Sequence, residues 1–188
     1  VNPLRGQNNV QGAGDMGCLP NMLPGYQKVV DDAARKKFEK AWGVSLPEAP
    51  GLTKVKAVDA ILEGKIRGVF IMGENTVLSD ANASRTRAAL EAAEFLVVQD
   101  IFMTDTAALA DVVLPAASAA ETDGTFTNTE RRVQRVRAAL APPGEARPDW
   151  MILRDISERL GYAIPYRHPA EIWDEARALS PTLAGITY

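Results

Sequence analysis

Three short apolar runs constrain the fold of this chain more than any other feature of its sequence. They are Val69-Phe70-Ile71-Met72, Phe95-Leu96-Val97-Val98 and Val112-Val113-Leu114. Unbroken runs of this length are typical of strands buried on both faces, as in parallel sheets. Helical patterns over 84–93 and 104–110 separate the runs, so each strand can return to the sheet by a right-handed crossover. The sequence predicts an α/β fold with a doubly wound, mainly parallel sheet in a Rossmann-like, three-layer arrangement.

The segments around this sheet follow other patterns. Apolar periodicity predicts further helices over residues 31–42, 55–63, 149–160 and 169–179. Ser84 and Asp149 are the predicted N-caps of their helices. Residues 1–27, rich in Gly and Asn, predict an irregular loop, and the alternation of polar and apolar residues over 132–137 predicts an exposed strand. We expect one domain over residues 1–188 and, from its polar opening segment, an internal piece of a longer protein.

Composition excludes several classes of function. The net charge of -3 and pI of about 5.3 disfavour a nucleic-acid partner, which usually needs a basic face. No apolar run approaches the roughly 18 residues of a membrane span. One cysteine, Cys18, and one histidine, His168, are too few for a Cys/His metal site or an iron–sulfur cluster. We therefore predict no metal ligand in this segment, and a cytoplasmic location with the periplasm as the alternative.

The ends of the predicted strands carry the candidate ligand-binding residues. Ligands of open parallel sheets bind beyond the carboxyl ends of the strands. Gly73 there permits a tight turn and a close approach to the backbone, and Asp100 can accept from guanine N–H groups or ribose hydroxyls. Thr104, at a predicted helix start, can bind a phosphate oxygen. No G-x-G-x-x-G follows a predicted strand and no P-loop motif is present, so Asp100 as a helix cap and Asp111 as a turn residue stay open alternatives.

Several longer segments of the sequence resemble those of a known protein family. They include Arg5-Gly6-Gln7-Asn8-Asn9-Val10-Gln11-Gly12, Val98-Gln99-Asp100-Ile101-Phe102-Met103-Thr104 and Ala110-Asp111-Val112-Val113-Leu114-Pro115. Together with Gly73-Glu74-Asn75, they resemble an internal stretch of the catalytic subunit of molybdenum- or tungsten-dependent formate dehydrogenases. These enzymes are bis-molybdopterin guanine dinucleotide oxidoreductases. The likeness runs in order along nearly the whole chain.

The resemblance implies a cofactor and a set of site residues. Members bind two molybdopterin guanine dinucleotides that hold one Mo or W, and this chain resembles one of the two α/β domains that cradle them. The implied cofactor-binding positions are Gln7, Gly73, Glu74, Asn75, Gln99, Asp100, Thr104 and Asp111. Arg5 matches an arginine beside the metal that orients formate or CO2, a role that suits a bidentate guanidinium. Asn75 stands where many members carry Asp.

The resemblance also implies partners that lie outside this segment. A 4Fe-4S cluster and the Cys or selenocysteine metal ligand belong to other parts of the longer enzyme, and the arm over 118–145 is expected to pack on its iron–sulfur domain. Formate, CO2 and electron-transfer subunits are the expected partners. We expect the isolated segment to be inactive. The alternatives are a domain of another molybdopterin oxidoreductase, such as a nitrate reductase or a respiratory NADH dehydrogenase subunit, and a non-catalytic nucleotide-binding domain.

Overall fold

The structure, a computed structural model, describes residues 6–188 and divides into two compact units. The sheet unit contains Leu52–Thr122 and Ala138–Ile164. The hairpin unit contains residues 6–51, Asp123–Arg137 and Pro165–Tyr188. The sequence pattern shows no such boundary, because the hairpin unit combines three segments that are distant along the chain. That residues 1–188 act as one cofactor-binding domain stays a prediction.

The elements of both units alternate along the chain. The described helices are α1 (Val10–Asp15), α2 (Asp32–Trp42), α3 (Lys54–Leu62), α4 (Thr76–Ser79), α5 (Ala83–Ala92), α6 (Asp149–Arg159) and α7 (Pro169–Leu179). The described strands are β1 (Met22–Leu23), β2 (Gln27–Lys28), β3 (Gly68–Met72), β4 (Phe95–Asp100), β5 (Val112–Pro115), β6 (Gly124–Thr127) and β7 (Val133–Val136). A 3-10 turn covers Ala107–Leu109.

The three predicted core strands form one sheet. β3, β4 and β5 pair side by side in that order, and both pairings are parallel. The register sets Ile71 beside Val98 and Val98 beside Val113. The predicted mixed α/β class with a parallel sheet is therefore confirmed.

The core of the sheet unit lies on one face of this sheet. Leu96 and Val98 of β4 are almost fully buried there, against Val77 of α4, Leu90 of α5 and Ala107 of the 3-10 turn. Full burial of each large aliphatic side chain stabilises the fold by about 1.5–3 kcal/mol. This packing holds the two helices and the turn against the sheet.

The opposite face is covered only in part. Phe70, Met72 and Phe95 on that face are 44%, 45% and 50% exposed, so the prediction that the run over 69–72 is buried on both faces is wrong. The physical reason is that α4, α5 and the 3-10 turn all pack on the other face. α6 contacts the exposed face at fully buried Gln99, which donates a hydrogen bond to Asp149.

The hairpin unit is organised around α2. Asp31 caps this helix, because its Oδ1 accepts from the backbone N–H groups of Ala33 and Ala34 at 3.0 and 3.1 Å. Phe38 is completely buried, and its ring centroid lies 4.9 Å from that of Trp42. The helix predicted over 31–42 is thus confirmed, with Asp31 as its cap.

The N-terminal segment and the predicted arm meet within the hairpin unit. Residues 1–27, predicted as an irregular loop, include α1 and the short strands β1 and β2 within their described part. β6 and β7 form an antiparallel hairpin that packs on α1, and the N–H of Thr127 donates to Asn9 Oδ1 at 3.0 Å. A side chain at Gly12 would collide with that Asn9 oxygen, since its Cβ would lie 2.0 Å away. Contact of the arm with an iron–sulfur domain stays a prediction.

Three details at helix ends differ from the sequence-based expectations. Asn82, rather than Ser84, caps α5, since its Oδ1 accepts from the N–H of Arg85 at 3.0 Å. The helix predicted over 104–110 shortens to the 3-10 turn, in which Thr104 Oγ1 accepts from the N–H of Ala107. Pro148 occupies the N-cap of α6, so Asp149 lies in the first turn and its carboxylate is available to Gln99.

Replacing Leu96 by Ala should lower the free energy of unfolding by about 2–5 kcal/mol, because the side chain is 1% exposed and the change leaves a cavity. Urea unfolding followed by circular dichroism measures this difference. The matched control is Leu160→Ala, at a leucine of the same unit that is 81% exposed, and it should change the value by less than about 0.5 kcal/mol. Equal effects of the two changes would contradict the assigned core.

Candidate functional site

The parallel sheet brings the predicted residues of two strand ends to one edge. β3 continues into Gly73, which follows Met72, the register partner of Gln99 in β4. The N–H of Gly73 donates to the carbonyl of Gln99 at 2.8 Å, so the two loops leave the sheet side by side. We call residues 73–76 the first strand-end loop and residues 100–106 the second strand-end loop. Their position is where open α/β sheets bind ligands.

Gly73 is the point at which the first strand-end loop turns. Its φ of 64° lies in the left-handed region, which glycine adopts without steric cost. Apart from its two chain neighbours, no described residue has an atom within 4 Å of the place that a Cβ would occupy. The backbone at Gly73 is therefore both turned and open to the approach of a ligand.

Asn75 links the two strand-end loops rather than lying free for a ligand. Its Oδ1 accepts from the hydroxyl of Thr106 at 2.8 Å and from the Thr106 N–H at 3.3 Å. The same Thr106 hydroxyl oxygen accepts from the N–H of Val77 at 3.0 Å. Thr106 is fully buried, so these bonds join both loops in the interior. Sequence reasoning missed Thr106, since only its place two residues beyond Thr104 marks it.

Asp100 shapes the second strand-end loop. Its Oδ1 accepts from the N–H groups of Ile101 at 2.7 Å and Phe102 at 3.4 Å. The N–H of Thr104 then donates to the carbonyl of Phe102 at 3.0 Å, which closes the turn. Asp100 Oδ2 has no hydrogen-bond partner among the residues that the structure describes. One carboxylate oxygen thus holds the loop, and the other is left for an external N–H or O–H donor.

Thr104 and Glu74 are also engaged within the protein. Because the Thr104 hydroxyl oxygen accepts from Ala107 and only a three-residue 3-10 turn follows, the helix start expected to bind phosphate is not formed. Glu74 accepts from the Ser79 hydroxyl and lies 3.7 Å from the ammonium group of Lys54. Lys54 also pairs with Asp80 at 3.5 Å, so a cation lies beside the first loop.

Gln99, the last but one residue of β4, is completely buried. Its Nε2 donates to Asp149 Oδ1 at 2.6 Å, while its Oε1 has no hydrogen-bond partner in the described chain. Asp149 as a residue is exposed, but its carboxyl group is partly covered at Gln99. This burial raises the pKa of Asp149, the hydrogen bond from Gln99 opposes the rise, and the negative charge of Asp100 adds to it. Sequence reasoning read Asp149 as a cap and missed this contact.

Three predicted residues are not brought to this edge. Asp111 lies at the amino ends of the strands, where its Oδ2 accepts from the N–H of Leu96 at 2.7 Å. Gln7 belongs to the hairpin unit, where it lines a cavity of about 200 Å³ with Asn8, Thr129 and Gln134. Arg5 lies outside the described residues. The roles assigned to these three residues by resemblance stay predictions.

Residues 6–188 contain neither a cluster of metal-ligating side chains nor a membrane-spanning helix. No group of three or more His, Cys, Asp or Glu side chains in this range is placed to hold a metal ion. Cys18 is exposed, and His168 accepts from the N–H of Ala170 to cap α7. No helix in the same range has the length and apolar character to cross a bilayer.

Comparison with known proteins gives consistent results. Residues 3–159 match the model of the family described as molybdopterin oxidoreductase. The chain is 54% identical over 191 residues to the F420-dependent formate dehydrogenase subunit alpha of Methanocaldococcus jannaschii, covering 100% of this chain and 28% of that protein. It is 50% identical over 186 residues to the Bacillus subtilis protein named "Probable oxidoreductase YjgC", covering 99% of this chain and 19% of that protein. The chain thus spans less than a third of the length of either relative.

A solved structure is similar in fold. Acetylene hydratase from Pelobacter acetylenicus matches with a TM-score of 0.61 at 23% sequence identity. The match covers 83% of this chain and 22% of the hydratase chain. At this identity the likeness concerns the arrangement of helices and strands alone.

The raised pKa of Asp149 predicts how stability depends on pH. A carboxyl group with a folded-state pKa above its ordinary value of 3.8 contributes its full stability below that value. The contribution is lost as pH rises through the folded-state pKa. The unfolding free energy of the unaltered chain should therefore fall relative to that of Asp149→Asn as pH rises from below 3.8 toward neutrality.

Urea unfolding at a series of pH values checks this expectation. The matched control is Glu158→Gln, which removes an exposed carboxylate from the same helix and so measures the effect of losing a carboxylate as such. A difference between the unaltered chain and Asp149→Asn that stays constant or reverses with pH would show that the Asp149 pKa is not raised.

Proposed function

Since this chain belongs to the molybdopterin oxidoreductase family, we propose that its strand-end edge binds a molybdopterin guanine dinucleotide in a formate dehydrogenase. The strongest support for the substrate is the Methanocaldococcus jannaschii relative named as a formate dehydrogenase subunit alpha, which is 54% identical along the whole chain. In the proposed enzyme, formate is oxidised to CO2, and the electrons pass to other cofactors and subunits. The segment by itself lacks the other parts of that enzyme and is expected to be inactive.

The observation that carries the proposal is the convergence of two polar loops on one edge of a parallel sheet. Gly73 offers an open backbone, and Asp100 offers a carboxylate oxygen with no partner among the described residues. Parallel α/β sheets bind nucleotides at this place. An acceptor-only carboxylate suits the adjacent N–H donors of a guanine ring. The residues present therefore fit the guanine end of the proposed cofactor.

The strand-end loops are also held in shape before any ligand arrives. The hydrogen bonds from Thr106 to Asn75 join the first loop to the second, and Asp100 orders its own loop through two backbone N–H groups. Binding then requires little further ordering of the backbone, which favours affinity. We assign Asn75 and Thr104 to this support of the loops rather than to direct contact with the cofactor.

The remaining parts of the proposal concern chemistry at the metal. When bound, the cofactor supplies the dithiolene sulfurs that hold Mo or W, where formate is oxidised. We propose that Arg5 orients the carboxylate of formate, because a guanidinium donates two parallel hydrogen bonds to a carboxylate and keeps its charge. Gln7 is proposed as a further cofactor-binding residue, as the family resemblance implies.

Replacing Asp100 by Ala should lower the guanine content of the proposed enzyme by about tenfold or more. The enzyme is the complete gene product that contains this chain, purified from the organism that encodes it. Hydrogen bonds to charged groups are worth about 1.5–3 kcal/mol, and 1.4 kcal/mol is a tenfold change in affinity. Guanosine monophosphate released by hydrolysis of the purified protein measures the cofactor content, and formate-dependent dye reduction measures the activity.

The matched control is Glu91→Ala, which removes an exposed carboxylate from α5 of the same unit and should leave both values unchanged. Equal cofactor contents in the Asp100→Ala and Glu91→Ala proteins would contradict the proposed site. A normal guanine content without formate oxidation in the unaltered protein would retain the site and refute the substrate.

A further inference from the structure

The second strand-end loop exposes an aromatic ring. Phe102 is 73% exposed, and its neighbours Ile101 and Met103 are 48% and 71% exposed. Contiguous exposed apolar side chains, unlike scattered single ones, mark binding surfaces. Phe102 has the highest exposure of the large aromatic side chains in the described chain. Phe95, in the same unit, is 50% exposed, but it lies at the amino end of β4, away from the strand-end loops.

The backbone that carries Phe102 is held by hydrogen bonds at both ends of the residue. The Phe102 N–H donates to Asp100 Oδ1, and the Phe102 carbonyl accepts from the N–H of Thr104. The Thr104 hydroxyl is in turn bonded to the 3-10 turn, whose Ala107 belongs to the buried core. The backbone position of Phe102 is therefore set before binding.

Asp100 and Phe102 supply two complementary ways of recognising one group. The carboxylate accepts hydrogen bonds from N–H donors at the edge of a planar ring. A phenyl ring stacks on the face of such a ring, and stacking of a base on an aromatic side chain contributes substantially to binding. A phosphate or a ribose offers no planar face for this purpose. The pair therefore fits a purine base with adjacent N–H donors.

We propose that Phe102 is a binding residue that stacks on the guanine base, while Asp100 bonds to the edge of the same base. This inference rests on the proposed function, because it places the guanine end of the cofactor on the second strand-end loop. It assigns base recognition to two residues of one short loop. In this proposal the guanine base covers the exposed ring of Phe102.

The test compares three substitutions at phenylalanine positions in the complete gene product that contains this chain. The proteins are produced in a host that does not make molybdopterin, so that the proposed site holds no cofactor. Phe102→Leu keeps an apolar side chain and removes the stacking surface, whereas Phe102→Trp keeps an aromatic one. Phe95→Leu is the matched control, because it alters another exposed phenylalanine of the same unit away from the site. Guanosine monophosphate and ribose 5-phosphate are the two probes, and calorimetry measures their dissociation constants.

Phe102→Leu should weaken guanosine monophosphate binding by about tenfold, and Phe102→Trp should stay within about threefold of the unaltered protein. Phe95→Leu should leave the affinity unchanged. Ribose 5-phosphate, which has no base, should bind equally to all four proteins. Thermal unfolding midpoints should agree among them, because the Phe102 side chain is exposed.

Guanosine monophosphate binding that is the same in Phe102→Leu as in Phe95→Leu would overturn this inference and leave the Asp100 site of the proposed function intact. The same holds if Phe102→Leu lowers the thermal midpoint without changing affinity, since another protein segment would then cover the ring. Both proposals would be overturned by two results together. The unaltered protein would fail to bind guanosine monophosphate, and the protein purified from the organism that encodes it would contain no guanine.

Discussion

Parallel pairing of three short strands is the constraint on which the rest of the sheet unit depends. In a parallel sheet all carboxyl ends meet at one edge, so the loops after β3 and β4 become neighbours although 27 positions separate Gly73 from Asp100. Burial of Leu96 and Val98 beneath α4 and α5 stabilises this pairing. The position of the candidate site is therefore a consequence of the hydrophobic core and the strand direction together.

Many polar groups at the edge bond to the protein itself. Asn75 and Asp100 each accept from backbone N–H groups of the second strand-end loop, and Thr106 accepts from the N–H of Val77 in α4, so these N–H groups keep hydrogen bonds outside the sheet. The same bonds set the shape of the loops before a ligand binds. What is left for recognition is small and specific, namely the open backbone at Gly73, one oxygen of Asp100 and the exposed ring of Phe102.

The sequence predicted the features of the sheet unit that depend on local patterns. Apolar runs over 69–72, 95–98 and 112–114 correspond to β3, β4 and β5, and Gly73 lies in the left-handed conformation that its place after a strand suggests. The exposure of Phe70 was not predictable, because it depends on which face of the sheet the following helices cover. A short apolar run is compatible with burial of either one face or both.

Contacts between distant residues explain the remaining differences. The bond from Thr106 to Asn75 joins residues 31 positions apart, and that from Gln99 to Asp149 joins residues 50 positions apart. Neither has a signature in local periodicity. Asp111 illustrates the same limit, since its place before β5 does not reveal that its carboxylate bonds to the start of β4.

Mapping of guanosine monophosphate on the 15N-labelled chain by amide chemical shifts is the most direct test of the central claim, that the strand-end edge is the nucleotide site. The largest shifts should fall on residues 73–76 and 100–106, even at the millimolar concentrations that a partial site requires. Shifts concentrated around Asp111, or at the Gln7 cavity of the hairpin unit, would contradict the claim.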